Sequence, residues 1–396
     1  MYKKLKPILE SEIAAMKEGG TYKEERILES SQGREIVVKG KKLLNFCANN
    51  YLGLSGTELM QRASDKAVKK WGYGLASVRF ICGTQTIHKD LERAVAGLVG
   101  AEDSVLYSSC FMANLGLFQT FFGEQDAIIS DELNHASIID AARLSKAERH
   151  VYKHMDMTDL EAKIKATNGK RLTVIATDGI FSMDGDIAPL EEICTLAEAY
   201  GALVMVDDAH AVGVMGNTGG GTPEYCGVVD RVDFLTGTFG KALGGAGGAY
   251  TATHREAAEY LRNRSRTYLF SNSLDTAVTG ASLFAIYHLR SHPEFRERLW
   301  TNTKLFRELM KKNGFMVSEA QHPITPIMLG DEKKAVEMAK ALFDEGVYVI
   351  GFAYPVVPKG KARIRVQISA AHTKEDIEFA VEKFTLVGRR FQALSA

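Results

Sequence analysis

The chain has 396 residues, 45% of them hydrophobic and 25% charged, with 49 basic residues balancing 49 acidic ones. That length allows two or three domains, and the composition is that of an ordinary globular protein. A formal net charge of zero gives no basic excess for nucleic acid or an anionic membrane, and no apolar run approaches the ~20 residues of a membrane span.

Five cysteines, Cys47, Cys82, Cys110, Cys194 and Cys226, are scattered without CxxC spacing. They imply neither a disulfide framework nor a zinc site, so no metal is expected and a reduced, cytoplasmic setting fits. The opening Met1-Tyr-Lys-Lys-Leu-Lys is charged and lacks the apolar core of a signal peptide.

Residues 1 to about 32 alternate charged and apolar positions at helical spacing, as an arm that packs on something else would. A hairpin is expected from 35–39 and 43–47 around Gly40-Lys41-Lys42, followed by the amide-rich turn Ala48-Asn-Asn-Tyr-Leu-Gly-Leu54. From there the pattern alternates: helices at 58–71 and 87–99, then strand 103–107 and helix 111–122, then strand 127–130 and helix 136–146. Strands at 173–177, 202–206 and 233–236 follow, with a helix at 188–200. This alternation predicts an α/β domain with a mostly parallel sheet covered by helices. Helical patterns dominate from about 253 to 313. After them come strand 325–329, helix 332–345, strands 347–351 and 362–368, and helix 373–389, an α+β layout. The expected division is an N-terminal segment 1–55, a large domain 56–285 and a smaller C-terminal domain 286–396.

The chemistry centres on Thr236-Gly-Thr-Phe-Gly-Lys-Ala-Leu-Gly-Gly-Ala-Gly-Gly248. Lys241 becomes a nucleophile towards aldehydes if a pocket lowers its pKa. Thr236 and Thr238 offer hydroxyls to an anion, and the glycines let a planar group lie close to the backbone. By itself this stretch reads equally as a surface lysine in a glycine-rich loop. Upstream, Val204-Met-Val-Asp-Asp-Ala-His210 reads as a buried strand ending in acids and a histidine. A strand-end carboxylate ahead of a lysine suits pyridoxal phosphate, whose ring nitrogen needs an anionic partner and whose aldehyde needs an amine. Asp207 is the first choice for that anion and Asp208 the second.

Other polar clusters fall at strand ends. Ser108-Ser-Cys-Phe-Met-Ala-Asn114 opens a helix, a natural seat for a phosphate. His135 can stack on a planar ring, and Ser182 can donate to a ring oxygen; each also reads as a local turn or cap residue. Arg363 and Arg365 share a strand and a face, so either can clamp a carboxylate, or both can be surface salt bridges.

These residues carry a resemblance to a known family. Asn45-Phe-Cys-Ala-Asn-Asn-Tyr-Leu-Gly-Leu54, Ser77-Val-Arg-Phe-Ile-Cys-Gly-Thr-Gln85 and Asp131-Glu-Leu-Asn-His-Ala-Ser-Ile-Ile139 belong to it. So do Thr177-Asp-Gly-Ile-Phe-Ser-Met-Asp-Gly185, Val206-Asp-Asp-Ala-His-Ala-Val-Gly213, Thr238-Phe-Gly-Lys-Ala-Leu-Gly-Gly245, Arg264-Ser-Arg-Thr-Tyr-Leu-Phe-Ser-Asn-Ser273 and Arg363-Ile-Arg-Val-Gln-Ile-Ser369. Nearly end to end, the chain resembles the α-oxoamine synthases, a family of pyridoxal-phosphate enzymes. One departure is Thr267, where the family pattern has proline.

The resemblance implies a fold-type I pyridoxal-phosphate transferase acting as a homodimer with shared active sites. It implies that Lys241 holds pyridoxal 5'-phosphate, that Asp207 pairs with the ring nitrogen and that His135 stacks on the ring. Ser182 and His210 would contact the ring oxygen. Cys110, Phe111 and Thr238 would hold the phosphate end, with Ser271 and Asn272 reaching in from the partner subunit. Asn49 and Arg365 would bind substrate. The Asn45–Asn50 stretch points to the branch that joins glycine to acetyl-CoA, giving 2-amino-3-oxobutanoate and CoA; in reverse this is a step of threonine breakdown. The alternative within the family joins alanine to pimeloyl-CoA.

Overall fold

The computed structural model describes residues 2–19, 21–318, 321–354 and 356–394. Thirteen strands are named here in chain order: β1 (Glu35–Val38), β2 (Lys41–Asn45), β3 (Asp103–Tyr107), β4 (Ala127–Asp131), β5 (Glu148–Tyr152), β6 (Thr173–Asp178), β7 (Leu203–Asp207), β8 (Phe234–Thr238), β9 (Ala249–Thr253), β10 (Ile324–Gly330), β11 (Val347–Tyr348), β12 (Ile350–Phe352) and β13 (Ala362–Gln367). Seven form one sheet in the order β3-β9-β8-β7-β6-β4-β5. Only β9 runs against its neighbours; the others are parallel, as the alternation of strand and helix patterns predicts.

The central strands are apolar throughout because both faces are covered. Successive side chains point to opposite faces, and they enter two separate cores. Ile129, Ile175, Val204 and Val206 pack on one side, Ile128, Val174, Ala176 and Met205 on the other. Two elements of this sheet escape the sequence pattern. β5 is an edge strand whose residues Glu148, Arg149 and Val151 are exposed. It carries charge where an interior strand would carry Val or Ile. β9 follows the glycine-rich stretch so closely that Ala249-Tyr-Thr-Ala-Thr253 does not stand out as a strand.

Two small sheets complete the fold. β10 and β12 flank β13 in antiparallel register. β1 and β2 form the expected hairpin, whose turn residues Lys39 and Gly40 have φ of 52° and 70°. β11 then joins β2 in parallel. The strand expected at 347–351 is therefore split at Val349, its first half serving one sheet and its second half the other. Within segment 1–55, helix Tyr2–Glu18 buries no residue, whereas β2 pairs with β11, and Phe46, Leu52 and Leu54 share a continuous core with Phe239 and Tyr250 of the large domain and Ile364 and Phe384 near the C-terminus. Position 285 falls inside helix Thr276–Ser291, so the chain does not break there.

Helix Thr276–Ser291 lies on helix Glu58–Trp71, and Gly280 makes the close approach possible. A Cβ at 280 would stand 2.2 Å from Cβ of Ala67. Gly97, in helix Thr86–Val99, faces open space. Gly280→Leu is expected to cost roughly 1–3 kcal/mol through overpacking. Gly97→Ala is expected to add up to about 1 kcal/mol through helix propensity. Urea unfolding of the two variants, read as shifts of midpoint in opposite directions, checks both.

Candidate active site

The parallel strands end on one edge of the sheet, and each brings a polar residue there. Asp178 of β6 and Asp207 of β7 are register partners, and Asp207 is partnered on its other side by Thr236 of β8. Asp207 is buried. One carboxylate oxygen accepts from Asn114 Nδ2 at 2.7 Å, the other from the Ala209 amide at 3.1 Å. The Cys110 thiol lies 3.6 Å from the same carboxylate. Burial, with the Asp207 charge second, holds that thiol well above its ordinary pKa.

Asp208 points the other way. It accepts from the Thr222 amide at 2.9 Å and from the Thr222 hydroxyl, and burial pushes its carboxyl up to about 7. Its oxygens also fill the space beside Gly179 and Gly221. As an alternative to Asp207 it is ruled out: adjacent residues at a strand end face opposite sides.

Lys241 follows β8. It makes no hydrogen bond or ion pair among the described residues, and burial lowers its pKa, against the opposing charges of Asp207, Cys110 and Asp178. The same amine bears on His135 and His210. Its glycine-rich loop serves the chain's own packing. Gly244, Gly245 and Gly248 have φ of 112°, 78° and 107°, and Cβ atoms there would press on Met60, Ser55 and Leu274. The expectation that these glycines admit a planar ligand is corrected by that crowding. The threonines are likewise engaged within the chain. Thr236 is buried and donates to Asn114 Oδ1 at 2.8 Å. Thr238 donates to the Gly248 carbonyl at 3.0 Å and accepts the Gly240 amide at 3.1 Å.

His210 is buried, with Nδ1 2.8 Å from the Tyr51 hydroxyl. Burial, then the Lys241 charge, lowers its pKa well below the usual value. His322 braces it from below, donating from Nε2 to the His210 carbonyl at 3.0 Å while Nδ1 accepts the Ile324 amide. Burial takes His322 down to about 3. His135 caps helix Ala136–Leu144; its Nδ1 accepts the Ser137 amide at 3.2 Å and its own amide donates to Asp178 at 2.8 Å. Burial, with the Asp207 charge second, raises the Asp178 carboxyl.

The two arginines of β13 divide. Arg363 is tied to the Asp184 carboxylate and to the Lys361 carbonyl at 2.9 Å. Arg365 donates from Nη1 to the Ser182 carbonyl at 2.9 Å and lies over the Phe352 ring at 4.8 Å, and its buried Nε has no partner among the described residues. Buried N–H groups are rarely left unpaired, and a carboxylate is a group that this donor suits. Asn49 accepts at 2.7 Å from Nε2 of Gln367, which lies on the same strand.

At the start of helix Cys110–Phe121, Ser109 caps by accepting the Met112 amide at 3.3 Å, which leaves the first-turn amides of Cys110 and Phe111 for an anion. Thr267, the departure noted above, donates to the Met112 carbonyl at 2.8 Å and ties the following helix to this turn. Ser271 and Asn272 lie on a segment bridged to the 77–83 loop through Val78 and Asn272. Missed at the sequence level are Asn114, Ser137, Tyr51, Asp178 and His322. Only Asn114 carries a signal, four residues after Cys110 on the same helix and so on one face with it.

A depressed buried amine, a carboxylate at a strand end, free helix amides and an orphaned guanidinium donor suit pyridoxal phosphate and an amino acid. The comparisons agree. The family model for aminotransferases of class I and II matches residues 41–384. The chain belongs to this family, as an α-oxoamine synthase. Its cofactor is pyridoxal phosphate. The 2-amino-3-ketobutyrate coenzyme A ligase of Escherichia coli K12 is 53% identical over 98% of both chains. The 8-amino-7-oxononanoate synthase of Thermosipho melanesiensis is 50% identical, covering 97% of this chain and 98% of that one. A serine palmitoyltransferase from S. paucimobilis, solved with bound PLP, superimposes with a TM-score of 0.92 at 30% identity, over 98% of each chain.

Behind the site, His154 stands 3.0 Å from Asp131 and 3.8 Å from Asp186. Burial lowers its pKa, but the two carboxylates outweigh that and raise it to about 9. A raised folded-state value means stabilisation that is complete below the unfolded pKa near 6.5 and is lost as pH rises through about 9. His154→Gln is expected to remove roughly 2–3 kcal/mol of stability at pH 6 and little above pH 9.5. Unfolding free energies measured across that window check it.

Proposed function

We propose that this enzyme condenses glycine with acetyl-CoA to give 2-amino-3-oxobutanoate and CoA. The observation that carries the reading is Arg365, a half-buried guanidinium whose buried Nε has no partner among the described residues and whose charge bears on the Lys241 amine. It is what a small amino acid's carboxylate needs. The full-length likeness to the ketobutyrate ligase supports the acyl donor.

Pyridoxal phosphate, when bound, supplies an aldehyde that captures an amine and a cationic ring that draws electrons from the bonds of the captured carbon. The rest falls to the chain. Lys241 would hold the cofactor and take the Cα proton of glycine, a role that its burial-lowered pKa favours. Asp207 would serve the ring nitrogen and His135 the ring face. Ser182 and His210 serve the ring oxygen. The amides of Cys110 and Phe111 would hold the phosphate, and Thr238 would join them by turning its hydroxyl from the Gly248 carbonyl. Arg365, oriented by the Ser182 carbonyl, and Asn49 would bind the glycine carboxylate and so favour loss of the Cα proton over loss of carbon dioxide. The glycine Cα then bonds to the thioester carbonyl carbon, and the coenzyme leaves as its thiol. Run backwards, the same groups split 2-amino-3-oxobutanoate with CoA, a step of threonine breakdown.

We read the working form as a cytoplasmic homodimer. Tyr73, Phe80, Ile81 and Phe270 are exposed around the loop that carries Ser271 and Asn272, an apolar patch of the kind that interfaces cover. Ser271 and Asn272 would then reach the partner's phosphate end. A second reading, alanine with pimeloyl-CoA, is favoured by the 50% identity to the Thermosipho synthase.

Borohydride is expected to fix the cofactor on Lys241 alone, found by peptide mapping. Arg365→Ala is expected to raise the KM for glycine by the equivalent of roughly 2–4 kcal/mol, from lost charge-assisted binding and positioning. A side-by-side rate comparison of glycine with acetyl-CoA against alanine with pimeloyl-CoA decides between the substrate readings. A faster second pair overturns the first.

A further inference from the structure

We propose that Asn114 is a positioning residue that holds Asp207 and the His135 ring in one directed hydrogen-bond chain, which leaves His135 with its proton on Nε2. The inference rests on the assignment of Asp207 and His135 to the cofactor, but the chain itself is read from the protein alone.

The direction of every bond follows from chemistry. A carboxylate only accepts, so the atom of Asn114 lying 2.7 Å from Asp207 is the amide nitrogen. Its carbonyl oxygen therefore faces Thr236, whose hydroxyl donates at 2.8 Å. The second N–H of Asn114 reaches Ser137 Oγ at 2.8 Å. Ser137 Oγ, accepting there, turns its own hydrogen towards His135 Nδ1, 2.7 Å away. The Ser137 amide donates to that same nitrogen. With two donors directed at it, Nδ1 has no place for a proton, and the neutral ring carries its hydrogen on Nε2.

The buried amide has no spare valence. Asn114 is fully buried, and its oxygen and both its N–H groups are engaged. Its neighbours come from three elements: Thr236 from β8, Asp207 from β7 and Ser137 from helix Ala136–Leu144. Rotating any one of them breaks a bond to a buried polar group, which is costly. The carboxylate and the imidazole are thus set by one side chain. The charged groups that face His135 are Asp207 and Lys241, and its backbone amide is held by Asp178. Burial lowers its pKa, with Lys241 assisting and Asp207 opposing. Protonating Nδ1 would also set it against the Ser137 amide.

The test uses the full-length protein, labelled with ¹⁵N-histidine and studied with and without pyridoxal phosphate. Long-range ¹H–¹⁵N spectra report the tautomer, and equilibrium dialysis gives the cofactor Kd. Wild-type His135 is expected as the neutral Nε2–H form throughout pH 6–8. Ser137→Ala is expected to mix the tautomers and raise the His135 pKa while changing cofactor Kd less than threefold. Asn114→Asp keeps the size but offers Asp207 no N–H; it is expected to weaken cofactor binding at least tenfold and to shift the His135 signals. Thr236→Val is expected to do the same in part, and Thr236→Ser to restore both readouts. If Asn114→Asp fails to fold, the two Thr236 variants decide. A wild-type Nδ1–H tautomer, or unchanged His135 signals in Asn114→Asp and Thr236→Val, overturns the proposal. Wild-type protein that binds no cofactor, yet shows the expected tautomer behaviour, refutes the site assignment and leaves the hydrogen-bond chain standing.

Discussion

Asp207 ends a strand that is buried on both faces, and a buried carboxylate must find donors or give up its charge. Asn114, the Ala209 amide and the Cys110 thiol come from two different elements to supply them. That requirement sets much of the architecture around it. It turns Asn114 inward from the helix that also presents the free amides of Cys110 and Phe111. It draws the Thr236 hydroxyl away from any ligand. It leaves Lys241, one strand along, as an amine with no hydrogen bond or ion pair among the described residues, under the charge of Asp207.

The opposite wall depends on a single loop. Residues 181–186 are anchored three ways: the Ser182 carbonyl to Arg365, the Asp184 carboxylate to Arg363, and Asp186 to His154. The anchors come from two distant places in the chain, β13 twice and the segment after β5 once. Arg363 is used up in holding the loop, and Arg365 keeps a donor for substrate because the loop offers it only one backbone carbonyl. Arg363, paired and almost wholly enclosed, acts as a brace whose removal would strand Asp184. The division of labour between two arginines two residues apart is thus a matter of which partner the loop presents to each.

Satisfied buried polar groups also explain why the histidines of the site stay neutral. His322 and His210 are buried, and the Lys241 charge adds to burial in lowering both. Both are held by specific bonds, His322 between a carbonyl and an amide, His210 by Tyr51. His154 is the exception, because two carboxylates face it. The site therefore combines neutral imidazoles near the amine with one charged imidazole behind the loop.

Much of this was legible in the sequence. Short continuous apolar runs place β3, β4, β6, β7 and β8 within a residue or two. The lysine and the strand-end acid stand out because their residue types are rare in such positions without a purpose. Chemistry at the ends of parallel strands is also local: the strand that carries Asp207 is the strand that positions it. What the linear order does not contain is direction and company. Asp207 and Asp208 are neighbours in the chain, yet the strand's pleat sends one to Asn114 and the other to Thr222. Arg363 and Arg365 share a face by spacing, and only the partner loop separates them. Asn114 reads as one more helical residue until Thr236 and Ser137, 122 and 23 positions away, close around it. The sequence by itself determined the elements and the reactive residue types, since those follow from local propensity and periodicity. The tertiary structure alone decided which of two equivalent side chains is free to act, because that depends on where the remaining donors and acceptors of the fold have already been spent.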